Sequence, residues 1–139
     1  MVVAIIGTLS AIAVPFMTGY LQKARNTRVI ADLKTIEKEI FMFQAETGIF
    51  PDSLADIGLD TLADPWGRPY EYLKIQGAAK PGVKGKARKD HFLVPVNTDF
   101  DLYSRGPDGK SVAPFTAKAS RDDIVRANNG QYMGVASEY

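Results

Sequence analysis

The sequence predicts an α+β protein in which the C-terminal half of one long N-terminal helix packs on a small antiparallel β-sheet. Three observations support this class: an uncharged opening stretch, an amphipathic continuation with helical spacing, and short strand-like segments between turn residues. The 139 residues suffice for one such domain. We divide the chain into an apolar helix half at residues 1–22 and a head at residues 23–139, whose first part, 23–48, continues the helix.

The apolar helix half contains no Asp, Glu, Lys or Arg, and a basic flank beginning at Lys23 follows it directly. As a helix it would be about 33 Å long, which matches the ~30 Å hydrocarbon core of a bilayer. We therefore predict a membrane span that can also pack inside an apolar protein core. Two alternatives fit less well. A secretory leader cleaved near residues 11–13 needs a preceding positive segment, and helices of soluble cores are seldom uncharged for so long. Pro15 and Gly7 weaken the helix, which would suit a helix that bends or locally unwinds when neighbouring helices surround it.

Beyond residue 22 the apolar residues recur at steps of three and four, which is typical of an amphipathic helix. Charged residues lie between them, and Arg28 and Asp32 have the spacing of an i,i+4 ion pair. Thr47 and Gly48 precede Pro51, so we expect the helix to end there. The predicted apolar stripe consists of Val29, Leu33, Ile36, Ile40 and Phe43.

Turns and short strands are predicted for the rest of the head. Residues 52–54 read as the cap of a short turn, and residues 64–72, DPWGRPYEY, read as a turn followed by a strand. Trp66 in that turn is interpreted as a packing anchor. Two further strands, at residues 91–96 and 100–103, are predicted to form a hairpin around Asn97 and Thr98.

Composition argues against several classes of function. The chain has no cysteine, which excludes disulfides and thiolate chemistry, and its one histidine, His91, lies in a strand-like pattern. No nucleophile–base pair is evident, so we do not expect an enzyme. The net charge is +1, and the basic, glycine-rich segment 77–89 has no interleaved aromatic residues. We interpret that segment as a solvated loop, with contact to phosphate or to an acidic neighbour as the alternative, and we expect no nucleic-acid partner.

An irregular C-terminal loop is predicted after the last of these strands. Asp108 and Gly109 form a turn dipeptide, and Asp122 and Asp123 follow after a segment with few apolar residues. Hard cations take about six to eight oxygen ligands from carboxylates and carbonyls, which an irregular loop can supply. Calcium binding is therefore one interpretation, a solvated turn is another, and a paired-carboxylate glycosidase is a weaker third because no sugar-binding pattern accompanies it.

Three stretches carry a resemblance to a known family. They are VVAIIGTLSAIAVPFMTGYLQKAR at residues 2–25, DPWGRPYEY at 64–72, and DLYSRGPDG at 101–109 followed by DDIV at 122–125. With them the chain resembles type IV pilin-like proteins, and within that family the major pseudopilins, the G-type subunits of type II secretion systems. The resemblance covers nearly the whole chain.

The resemblance implies the type IV pilin fold and the role of a structural subunit that polymerises into a helical pseudopilus filament. It implies a single-pass precursor in the bacterial inner membrane with its head in the periplasm, processed by a prepilin peptidase and methylated at its N-terminal residue. The implied partners are further copies, minor pseudopilins and an inner-membrane assembly platform, and the filament would lie in the periplasm or outside the cell. The alternative is the major subunit of an extracellular type IV pilus-like filament for adhesion, motility or another surface role.

The resemblance also implies a calcium site in the C-terminal loop. Its ligands would be the side chains of Asp108, Asp122 and Asp123 together with the carbonyl of Arg105. The spacing between the first two aspartates is longer than the usual loop of the family, because residues 112–115 are inserted.

Overall fold

The structure, a computed structural model, describes residues 2–79 and 81–139, and of residues 2, 10 and 12–16 only the backbone. Over these residues the chain forms helix α1 (Val2–Thr47), helix α2 (Val83–Lys86) and strands β1 (Glu71–Lys74), β2 (Phe100–Ser104), β3 (Ile124–Ala127) and β4 (Tyr132–Val135). Short 3-10 helices lie at Leu54–Ile57, Lys118–Ser120, Asn128–Gly130 and Ala136–Glu138. The strands form one antiparallel sheet in the order β1-β2-β3-β4, so the predicted α+β class is confirmed.

Helix α1 runs for 46 residues, as predicted, which corresponds to about 69 Å. Its backbone is helical through residue 15, and bending or local unwinding on assembly stays a prediction. The helix ends where Gly48, with φ of 79°, donates its N–H to the carbonyl of Gln44 at 2.8 Å. The predicted membrane span begins at Met1, which lies outside the described residues. Within the described part of the chain, no helix combines the length and hydropathy of a bilayer span.

The core lies between the second half of α1 and the sheet. Four residues of the predicted stripe are completely buried, and Phe43 is half-buried. Each buried aliphatic side chain contributes roughly 1.5–3 kcal/mol relative to exposure, so this stripe fixes the helix on the sheet. Trp66 packs at the edge of the same core, in agreement with its interpretation as an anchor. The buried cluster that contains the stripe also includes Phe100 and Leu102 of β2 and Ile124 of β3.

A buried arginine adds a polar tie between helix and sheet. The Nε of Arg126 on β3 donates to Glu37 of α1 at 2.6 Å, and its two terminal nitrogens donate to the carboxylate of Asp99 at 2.9 and 2.7 Å. Its guanidinium lies 4.0 Å from the ring centre of Phe100. Burial alone would lower the pKa of Arg126, but the hydrogen bonds and charges of Asp99 and Glu37 have the larger effect and raise it. Arg126 therefore stays protonated.

The predicted strand at residues 91–96 is wrong, and with it the predicted hairpin. The carboxylate of Asp90 accepts hydrogen bonds from the N–H groups of Phe92 at 2.8 Å and Val94 at 2.9 Å, which bends this segment into a turn. His91 is consequently exposed in the turn rather than part of a strand. Strand β2 pairs instead with β1.

The basic segment 77–89 is only partly the solvated loop that was predicted. It contains α2, and Lys80 lies outside the described residues. Most of its described residues are exposed or half-buried, but Ala87 and Arg88 are buried at its end. This loop therefore delivers one cation into the interior of the head.

Candidate functional site

The apolar helix half presents a large apolar surface. Its described large side chains are exposed, with Val3 at 84%. No charged residue interrupts this surface before Lys23. Contiguous exposed apolar surfaces of this kind mark sites of interaction with protein or lipid. The exposed large apolar side chains among the described residues of this half are Val3, Ile5, Ile6, Leu9, Met17, Tyr20 and Leu21.

The C-terminal loop is the second candidate site. It comprises residues 105–123, between β2 and β3, and its one regular element among the described residues is the 3-10 turn Lys118–Ser120. The predicted irregular loop is thus present. The two strands that it joins pair directly, at Tyr103 with Val125 and at Ser104 with Ile124, so both ends of the loop are fixed by the sheet.

Two of the predicted ligands lie together in this loop. The carboxylate of Asp122 accepts the backbone N–H of Asp108 at 3.1 Å, and the carboxylate of Asp108 accepts the N–H of Lys110 at 2.7 Å. Arg105 directs its guanidinium away from the loop, to Glu71 on β1 at 2.7 Å. The carboxylates of Asp108 and Asp122 therefore serve as caps for backbone donors.

The third predicted carboxylate belongs to a different cluster. Asp123 is completely buried, and its Oδ2 accepts hydrogen bonds from the Ser111 hydroxyl at 2.6 Å and from the guanidinium of Arg88. Burial raises the pKa of Asp123 to about 7, although Ser111 and Arg88 lower it. Its Oδ1 is buried and has no hydrogen-bond partner among the described residues.

These residues do not fit a calcium ion as they are folded. Calcium requires about six to eight oxygens that converge on one point, whereas Asp123 faces a guanidinium and the other two carboxylates face backbone N–H groups. In the described part of the chain, no three acidic or histidine side chains are grouped in a way that could hold a metal. Calcium binding by Arg105, Asp108, Asp122 and Asp123 stays a prediction from the resemblance.

The DPWGRPYEY segment holds the start of this loop, a role that sequence alone did not reveal. Asp64 is buried, and its carboxylate accepts the N–H groups of Trp66 and Arg68 at 3.0 Å each and the Ser104 hydroxyl at 2.7 Å. One carboxylate thus fixes both the turn and the end of β2.

Arg68 of the same segment reaches over the loop. Its terminal nitrogens donate to the carbonyl of Gly106 at 2.6 Å and to that of Pro107 at 3.2 Å. Gly109 lies so close that a Cβ there would be 2.6 Å from the Arg68 Cζ. Arg68 and Arg88 together therefore place two guanidinium groups on the loop in which the resemblance implies a metal ion.

Known proteins similar to this chain share one description. The chain is 30% identical to type II secretion system core protein G of Pseudomonas aeruginosa, over 78% of both chains. It is 25% identical to core protein G of Vibrio cholerae, over 78% of this chain and 75% of the relative, and 25% identical to that of Klebsiella pneumoniae, over 88% and 84%. No protein-family model matches the chain, and no solved structure matches it significantly.

Proposed function

Because this chain belongs to the family of type II secretion system core protein G, the major pseudopilins, we propose that it polymerises into the helical pseudopilus filament of a type II secretion system. Membership of the family supports a structural role in the pseudopilus. Polymerisation is the further step, and the observation that carries it is the exposed apolar helix half.

That surface needs a partner on physical grounds. Among the side chains that the structure describes between residues 3 and 21, seven large apolar ones are exposed, and each contributes roughly 1.5–3 kcal/mol when it leaves water. Lipid and a bundle of identical helices are both apolar, so one uncharged helix can occupy either. Lipid already removes these side chains from water, so transfer from bilayer to filament draws on close helix packing and on an external motor.

We place the precursor in the bacterial inner membrane, with its head in the periplasm, before it enters the filament. Its partners are further copies of itself, minor pseudopilins and an inner-membrane assembly platform, after processing by a prepilin peptidase. The protein acts as a structural subunit and not as an enzyme, in line with relatives that are named as secretion-system proteins.

Secretion by the source bacterium tests this function. Cells that lack the chain should retain exoproteins in the periplasm, because no pseudopilus forms, and the full chain supplied in trans should restore their release. The measurement is the activity of a secreted exoprotein in the medium and in the periplasm. The function is wrong if secretion is unchanged while adhesion or motility is lost, an outcome that favours the surface pilus.

A matched pair of variants assigns the effect to the apolar helix half. Ile5 and Ile49 are similarly exposed, at 59% and 60%, but only Ile5 lies in the apolar helix half. Ile5→Asp should fail to restore secretion, because a carboxylate is costly among apolar helices and in a bilayer, where it costs up to about 2.5–3.5 kcal/mol at the centre of a membrane helix. Ile49→Asp should restore it fully.

A further inference from the structure

The connection between β1 and β2 is far longer than its strands require. These strands are antiparallel neighbours, which about two to five residues can join, yet residues 75–99 lie between them, 25 residues in all. Connections of this length are uncommon in compact domains and are usually either functional or disordered linkers. We call this segment the β1–β2 arm.

The β1–β2 arm is fastened to the C-terminal loop by backbone hydrogen bonds. The N–H of Lys89 donates to the carbonyl of Ala113 at 2.9 Å, and the N–H of Phe115 donates to the carbonyl of Lys89 at 3.0 Å. The N–H of Arg88 donates to the buried carboxylate of Asp101 at 2.7 Å. These bonds fix the backbone at Arg88, so its side chain enters the head at a defined place.

The guanidinium of Arg88 is buried and bonds to three residues of the C-terminal loop. Its side chain is 4% exposed. One terminal nitrogen donates to the Ser111 hydroxyl at 2.5 Å and to the Val112 carbonyl at 2.7 Å, and the other donates to Asp123. The Cζ atom of Arg88 lies 4.3 Å from the centre of the Tyr103 ring. One cation thus binds hydroxyl, carbonyl and carboxylate oxygens, and carbonyl and carboxylate oxygens are also ligands of calcium ions.

The charges of this cluster are already balanced. Arg88 supplies one positive charge, and Asp123, whose carboxylate contacts the guanidinium directly, supplies one negative charge when it is ionised. Both residues lie in an interior where an unpaired charge is costly. A divalent ion beside Asp123 would meet the guanidinium at short range. The Val112 carbonyl also accepts the Ser120 hydroxyl at 2.7 Å, so its lone pairs are engaged.

We propose that the guanidinium of Arg88, delivered by the β1–β2 arm, is the internal cation of the C-terminal loop, so that this head keeps its loop ordered without calcium. Arg68 supports the same loop from the other side through the carbonyls of Gly106 and Pro107. The proposal concerns the stability of the head and does not depend on filament formation.

Thermal unfolding of the full chain in detergent, followed by the fluorescence of its single tryptophan, Trp66, tests the proposal. The midpoint should be the same with excess chelator and with added calcium chloride, because no calcium binds to the folded state. A midpoint that rises with calcium would overturn the proposal, and this measurement needs no variant.

Variants identify the cation. Arg88→Gln should lower the midpoint by roughly 10 °C or more, because Asp123 is left buried without its cationic partner. Arg88→Lys keeps the charge but loses the planar fork of the guanidinium. Its midpoint should therefore lie between that of the unchanged chain and that of Arg88→Gln. Lys84→Gln, which removes a charge from an exposed position of the same arm, should leave the midpoint unchanged. An Arg88→Gln midpoint equal to that of Lys84→Gln would contradict the proposal.

Discussion

Replacing Arg126 with methionine should destabilise the head by about 3–5 kcal/mol, one of the two largest losses that we expect from a single substitution. Methionine fills much of the same volume but leaves the carboxylates of Asp99 and Glu37 without their common partner. Since Glu37 lies on α1 and Arg126 on β3, the loss should also loosen the helix from the sheet. Chemical denaturation of the full chain in detergent measures the effect.

Two further substitutions separate charge from packing at this position. Arg25→Met removes an arginine from an exposed position of α1 and should change the free energy of unfolding by less than about 0.5 kcal/mol. The loss of unfolding free energy for Arg126→Lys should lie between those for Arg25→Met and Arg126→Met, because lysine keeps the charge but cannot bond both carboxylates with a planar fork. A loss below about 1 kcal/mol for Arg126→Met would show that the three residues do not act as a tie.

Gly106→Ala should cost about 3 kcal/mol or more, because the start of the C-terminal loop touches the backbone that enters β3. A Cβ at this position would lie 2.2 Å from the carbonyl oxygen of Asp122, and the residue has φ of 61°. Either the loop or the strand must move to admit the methyl group, and the left-handed conformation adds its own strain. Chemical denaturation reports the loss.

Gly48→Ala is the matched control for this substitution. Gly48 also has a positive φ, 79°, but a Cβ there would meet nothing within 4 Å. Its cost should be the conformational one alone, about 1–2 kcal/mol. Equal losses for the two variants would mean that the close approach of Gly106 to Asp122 carries no energy, which would contradict the geometry described for the loop.

The long helix and its buried stripe could be predicted because helical periodicity is local. Residues three and four positions apart share a face, so Val29, Leu33, Ile36 and Ile40 indicate both the helix and the side that meets the sheet. The end of the helix could also be predicted, because a glycine such as Gly48 directly after a helix is a local signal for its end. The turn at residues 91–96 looked like a strand by composition, and one side chain, Asp90, decides otherwise.

The sheet beyond β2 and the arginines could not be predicted in this way. β3 and β4 are four residues each and pair with partners that periodicity does not identify. Arg126 bonds a residue 89 positions away, and Arg88 bonds one 35 positions away. Of the predicted ligands, Asp108 and Asp122 lie together. The side chain of Asp123 instead bonds to Arg88 and Ser111, although it is the neighbour of Asp122 in sequence.

Electron microscopy of purified material tests the central claim most directly: that the apolar helix half both anchors this protein in a bilayer and forms the core of its filament. The full chain should yield ordered helical filaments under assembly conditions, whereas a chain of residues 23–139 should stay dispersed. Ordered fibres from residues 23–139 alone would contradict the claim, because assembly would then need no apolar helix.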